Sequence, residues 1–294
     1  MASSTLGHLG PYRLLNIVNT GQTSRIWQAY DDHRNDFVAI KVLLDRFRGD
    51  REYVHYLRWE YVVAGKMQSD RIIRIHDYQS NRGNPYLAIE WFAAVNLKQL
   101  IRRGVDRFAH QVPSIIEQAA EALVYFNQQG WVHRDVKPDN YLLNRDGELK
   151  LIDFALATRQ KKGLSRLFPG KLKIQGTRSY MSPEQIAGKA LDERADLYSL
   201  GCTIYELLSG KPPFTAANAN ELLMKHMKAA PPLLEAANRN VTPEFAQLIR
   251  QTMAKNPADR PKTMVDFLNG FRMVRIFKRP PRPPEEEENR ADAE

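Results

Sequence analysis

The chain has 294 residues, of which 43% are hydrophobic and 26% charged, with 43 Lys and Arg against 34 Asp and Glu for a formal charge of +9. That length holds about two domains, or one large domain around a cleft, and the composition excludes wholesale disorder and collagen-like repetition. One cysteine, Cys202, excludes an internal disulfide or a thiolate zinc cluster and fits a cytoplasmic setting. No apolar run approaches the roughly 20 residues of a bilayer span. The start, MASSTLGHLG, carries neither a secretory signal nor a myristoylation glycine. The basic balance favours phosphates, nucleotides or acidic partners without choosing among them.

In chain order, three short β-prone runs come first: Arg13 to Val18, Arg25 to Tyr30 and Phe37 to Leu44. Polar turns, residues 19–24 and 31–35, separate them. A helix is expected from Asp50 to Ser69, with Val54, Leu57, Tyr61 and Ala64 as its buried stripe. Two further strands flank Asn81-Arg-Gly-Asn84, which has hairpin-turn chemistry. The first ninety residues therefore read as a small antiparallel sheet with one helix.

After Trp91 the pattern is helical. Residues 113–129 are amphipathic, with Ile116, Ala119, Ala120, Leu123 and Phe126 on one face and Gly130 as the stop. Residues 191–208 are apolar nearly all round, which marks a buried central helix ended by Gly210. Thr242-Pro243-Glu244 supplies a cap, a first-turn proline and an early acid. The stretch from Lys278 to Glu288, rich in proline and glutamate, reads as an extended tail.

The chemistry concentrates in His133-Arg-Asp-Val-Lys-Pro-Asp-Asn140, followed 18 residues after Asp135 by Asp153-Phe-Ala155. Between them, Tyr141 to Leu143 and Leu149 to Leu151 flank the turn signal Asp146-Gly147. The hairpin returns the chain, so that Asp153 can face Asp135 and Asn140. Two carboxylates and an amide offer hard oxygen ligands suited to Mg²⁺ on a nucleotide.

These motifs, together with Val38-Ala-Ile-Lys41 and Gly176-Thr-Arg-Ser-Tyr-Met-Ser-Pro-Glu184, resemble the eukaryotic-type protein kinase family from about Tyr12 to Phe277. The wording around Met181 is similar to bacterial Ser/Thr kinases. The resemblance implies an α+β, bilobal protein-kinase-like fold. A small N-terminal antiparallel β lobe with one helix (12–91) would follow an extension (1–11), and a larger, mainly α C-terminal lobe (92–278) would precede a Pro/Glu-rich tail (279–294). It implies a protein Ser/Thr kinase using ATP with Mg²⁺, or Mn²⁺. Asp135 would be the catalytic base, Lys137 would lie near the γ-phosphate, and Asn140 and Asp153 would bind metal. Thr177 would bond Asp135 and Lys137. Lys41 would contact the α/β-phosphates and pair with Glu60, which borders the helix stripe. Val18, Ile26, Ala39, Ile89 and Leu143 would meet the nucleotide, as would the backbones of Glu90 and Phe92. Asp196, and Glu184 with Arg260, would be structural.

Two departures stand out. Where the family has three glycines over the phosphates, this chain has Asn19, Gly21 and Ser24, a penalty of roughly 1 kcal/mol, or several-fold in ATP affinity. Ala155 replaces the glycine after Asp153-Phe154, costing about 1–2 kcal/mol if φ must be positive and nothing otherwise. Both feed the rival reading, a pseudokinase-like scaffold or nucleotide-binding module with little turnover. Arg134 and the basic run Arg159, Lys161, Lys162, Arg166, Lys171 and Lys173 suggest a segment ordered by phosphorylation at Ser165 or Thr158, or a preference for acidic protein substrates. Autophosphorylation in trans is compatible with this, while nucleic acid is not an expected partner, because the basic residues are dispersed.

Overall fold

The computed structural model describes residues 7–81, 83–160 and 175–283. The chain forms two compact units, Met1–Ala93 with Ile152–Leu156, and Ala94–Leu151 with Ala157–Glu294.

The first unit is an antiparallel sheet of β1 (His8–Leu9), β2 (Tyr12–Thr20), β3 (Ser24–Asp31) and β4 (Asp36–Leu43), then β5 (Ile75–Asn81) and β6 (Asn84–Glu90). Its spatial order is β1-β2-β3-β4-β6-β5. Polar turns close the hairpins where the sequence places them. The Asp31 carboxylate accepts from the N–H groups of His33 and Arg34, and Asn35 takes a left-handed φ of 54°. Alternation along β3 and β4 splits the sheet into two faces. Ala29, Val38 and Ile40 join Tyr12, Tyr86 and Ala88 in a buried cluster on one face. Lys41 and Ala39 point to the other.

Between β4 and β5 runs α1 (Arg51–Ala64), capped by the Asp50 side chain accepting from Glu52 N–H at 2.8 Å. The helix stops five residues before the expected Ser69. Gly65 closes it through a bond to the Tyr61 carbonyl, at a spot where a Cβ would lie 2.7 Å from that oxygen. Its buried face also differs from the expected stripe. Leu57, Glu60, Val63 and Ala64 are buried, whereas Val54 and Tyr61 are half-buried. The helix packs on β5 and β6 turned by about one position, which brings Glu60 inside.

The second unit is mainly helical. Its elements begin with β7 (Ala94–Asn96), α2 (Leu97–Arg103), α3 (Val112–Gln128), β8 (Trp131–Val132), β9 (Tyr141–Asn144), β10 (Leu149–Leu151) and β11 (Thr158–Arg159). Next come α4 (Pro183–Ile186), α5 (Glu193–Ser209), α6 (Ala219–Lys228), α7 (Leu234–Ala237), α8 (Pro243–Thr252) and α9 (Met264–Arg272). As its composition predicts, α5 is buried from Ala195 to Leu208 and ends at Gly210. Residues of α3 and α8 pack around it. The β9–β10 hairpin is pinned to α3 by Gln118, which donates to the Gly147 carbonyl and accepts from Leu149 N–H at 2.8 and 2.9 Å. The expected tail starts later than its composition suggests, because Asn240 accepts from the backbone N–H groups of both Lys278 and Arg279. Among the described residues, no helix is long and apolar enough to cross a membrane.

Candidate functional site

In the first unit the register Ile26↔Lys41 and Ala39↔Ile89 sets these four residues on one sheet face. Lys41 Nζ lies 2.7 Å from Glu60 Oε2 and 3.4 Å from Asp153 Oδ1. Glu60 is 2% exposed and also accepts from Phe154 N–H. Burial works against the Lys41 ammonium, but Asp153 and Glu60 outweigh it and raise its pKa above the ordinary lysine value. The lysine is therefore a fixed cation held by two acids, one from α1 and one from the Ile152–Leu156 segment. Half-buried Asp153 has a left-handed φ of 65°, a strain of about 1–2 kcal/mol for a non-glycine residue. Ala155 has no such strain, since its φ is not positive. Of the two costs weighed from the sequence, the near-zero one holds.

The β2–β3 turn gives a similar correction. None of residues 19–24 has positive φ, and Gly21 N–H donates to the Ser24 carbonyl at 2.9 Å. Asn19 and Ser24 thus stand in strand geometry that any residue adopts. Val18 is 53% exposed on β2. Glu90 N–H donates to the Arg74 carbonyl and its carboxylate accepts from Arg74 N–H at 2.7 Å, and Phe92 is half-buried.

In the second unit, residues 133–140 fold around Asp135. Its Oδ1 accepts from Thr177 N–H at 2.8 Å. Its Oδ2 accepts from Lys137 Nζ at 2.6 Å and Asn140 Nδ2 at 3.3 Å. Lys137 Nζ also donates to Thr177 Oγ1 at 2.7 Å. Thr177 therefore holds both partners, as the resemblance implies, but reaches the aspartate through its backbone and the lysine through its hydroxyl. Asn140 donates again to the Asp135 carbonyl at 2.8 Å. With Nδ2 so committed, Oδ1 is the atom left to face a cation. Leu143 is buried in β9, paired with Val95 and Leu149.

Below the loop, fully buried Asp196 accepts from His133 N–H, Arg134 N–H and Asn127 Nδ2 at 2.8, 2.9 and 3.0 Å. Burial pushes its carboxyl pKa up, against the pull of these donors. Three N–H groups with no acceptor among them nonetheless suit the ionised form. This clamp holds Arg134 at φ 70°. Glu184 and Arg260 form a buried bidentate pair at 2.7 and 2.9 Å. Two braces were not read from the sequence. Asn127 interrupts the apolar face of α3, and that break was its available signal. Gln185, whose amide donates to the carbonyls of Arg134 and Gln175 at 2.9 and 2.8 Å, had none. Thr158 lies in β11 opposite Val132. Ser165 and the basic residues Lys161, Lys162, Arg166, Lys171 and Lys173 lie outside the described residues.

The protein kinase domain family matches residues 12–269. Serine/threonine-protein kinase PknA of Mycobacterium tuberculosis is 33% identical over 279 residues, covering 93% of this chain and 63% of PknA. PknL of the same organism is 32% identical over 243 residues, covering 83% and 60%. The chain thus spans about three-fifths of the length of these relatives. The solved M. tuberculosis PknI kinase domain shares the fold at a TM-score of 0.69 and 24% identity, over 92% of this chain and 99% of its own.

Proposed function

Because the chain belongs to the protein kinase domain family, we propose that it is an ATP-dependent protein kinase that phosphorylates serine and threonine hydroxyls. The observation that carries this reading is the Asp135–Lys137–Thr177 triangle. A carboxylate fixed on both oxygens is suited to orient a substrate hydroxyl and accept its proton, and a lysine 2.6 Å away is suited to the charge that develops on a transferred phosphoryl group. Lys41, kept cationic by Glu60 and Asp153, would hold the α/β-phosphates.

The donor set fits Mg²⁺ or Mn²⁺. Asp153 of the first unit offers a half-buried carboxylate and Asn140 of the second a buried amide oxygen, each a hard ligand. Among the described residues no three His, Cys, Asp or Glu side chains converge on a metal site, which suits an ion that draws its other ligands from phosphate and water. Bound there, the cation would neutralise charge on the β/γ-phosphates. Protein substrates follow from this reading, with acidic ones favoured by the basic run after Thr158, and the chain itself a substrate in trans. Ala155 carries no backbone strain, so one of the two arguments for a scaffold without turnover falls away.

The test is intact mass of the purified chain after incubation with Mg²⁺ and ATP, beside Asp135→Asn. Phosphoryl groups should accumulate on the wild type and on an added general protein substrate, with the rate lowered about 10²–10⁴-fold in the variant. A wild-type chain that neither binds nucleotide nor transfers phosphate would overturn the reading.

A further inference from the structure

The first unit carries a concavity of about 470 Å³, on the sheet face opposite Lys41. Leu14, Trp27 and Val42 form its floor. They pack against the edge of the buried Tyr12–Ile40–Tyr86 cluster and are themselves only partly covered. In β3 and β4, Arg25 and Trp27 alternate with Ile26, and Val42 with Lys41. The floor and the phosphate-facing lysine therefore belong to opposite sides of the sheet. Arg25, Arg46 and Arg48 rim the concavity, with Asp45 as the one acid lining it.

The rim is unbalanced. Asp45 is already taken by Arg48 at 2.7 Å. Arg46 donates to the Gln22 carbonyl at 2.9 Å and lies over the Phe47 ring, and it pairs with no carboxylate among the described residues. Arg25 stands 6.0 Å over Trp27, and its buried Nε has no hydrogen-bond partner among the described residues. A buried donor without an acceptor is destabilising, and an incoming carboxylate would relieve it. Guanidinium forks prefer carboxylates in bidentate geometry. A groove of this volume, apolar below and cationic above, matches a ligand that presents carboxylates beside a bulky apolar group.

We propose that this groove is a docking site for an acidic peptide segment, one that seats an aliphatic or aromatic side chain on Trp27 and Val42 and sets its carboxylates on Arg25 and Arg46. The site is separate from the phosphate-facing side of the sheet, so occupancy does not compete with nucleotide held by Lys41.

The test is fluorescence anisotropy with the full chain and a fluorescein-labelled octapeptide of alternating glutamate and leucine. Saturable binding on the order of 10–100 µM is expected. Arg25→Glu and, separately, Arg46→Glu should each weaken it about tenfold while unfolding temperature stays near wild type. A glutamate–serine octapeptide should bind about tenfold more weakly, because the apolar floor is left empty. Binding should persist with saturating Mg·ATP and in Asp135→Asn, so failure of phosphoryl transfer would not touch it. The proposal is overturned if the octapeptide shows no saturable binding, or if both charge reversals leave its affinity unchanged. It is equally overturned if phosphatidylglycerol vesicles, and not the peptide, bind in an Arg25-dependent way, which would make the groove a membrane contact.

Discussion

Asp196→Asn tests the idea that a buried carboxylate sets the geometry of the Asp135 loop. Asp196 Oδ2 accepts from His133 N–H and Asn127 Nδ2, while Oδ1 accepts from Arg134 N–H. An asparagine has one acceptor oxygen to offer. Its best placement keeps that oxygen on the His133 and Asn127 side and turns its NH₂ toward Arg134 N–H, donor against donor. An unsatisfied buried N–H costs about 1–3 kcal/mol. The two remaining bonds lose their charge assistance, roughly half their strength. Relief of burying a charge, which pushes the Asp196 pKa up, offsets part of this, leaving a net loss of about 2–3 kcal/mol. With m near 3 kcal/mol/M, the urea midpoint followed by tryptophan fluorescence should fall by about 0.7–1 M. Arg134, then held at φ 70° only through the Gln185 bond to its carbonyl, should relax and shift Asp135. A misplacement of that kind lowers phosphoryl transfer about 10²-fold. A variant with an unchanged midpoint and wild-type transfer would refute the clamp.

Three other predictions concern pH and backbone conformation. Burial, helped by the nearby Lys255 ammonium, lowers the pKa of His226 to about 4. Its Nδ1 meets Tyr198 OH at 3.0 Å, and a hydrogen bond with the Ser179 backbone opposes the downward shift without cancelling it. The unfolded state takes up a proton near pH 6.5 and the folded state does not, so stability should fall between pH 6.5 and 4, by about 2 kcal/mol at pH 5. Denaturation of His226→Gln should lack this loss; an equal slope in both proteins would contradict it. Gly176 has φ 121°, and a Cβ there would stand 3.0 Å from the Arg134 carbonyl, so Gly176→Ala should cost about 1–2 kcal/mol and lower transfer. Gly21 has no positive φ, and its Cβ would meet the Ser24 carbonyl at an ordinary 3.5 Å. Gly21→Ala should therefore change ATP affinity by less than about threefold, and a larger loss by calorimetry would show that the turn does need glycine.

The sequence by itself determined what local chemistry determines. Thr242-Pro243 starts α8 and Gly210 ends α5, because caps and stops are written in a few adjacent residues. The β9–β10 hairpin around Asp146-Gly147 and the main strands of the first unit follow from turn signals and alternation in the same way. The two- or three-residue strands β1, β7, β8 and β11 left no trace, since so short a run has no period and none of them is marked, as β10 is, by a flanking hairpin turn signal. Neither did the rotation of α1. An apolar stripe locates a buried face only to within a residue, and it took packing on β5 and β6 to bring Glu60 inside, opposite Lys41. The tertiary structure also decided where strain sits. The sequence directs attention to missing glycines at residues 19–24 and 155, yet the left-handed non-glycine residues of the site segments are Asp153 and Arg134. Their neighbours hold them there: Lys41 on the Asp153 carboxylate, and Asp196 and Gln185 on the Arg134 backbone. Long-range hydrogen bonds and ion pairs override the local preference for negative φ, and their partners are far away in the chain.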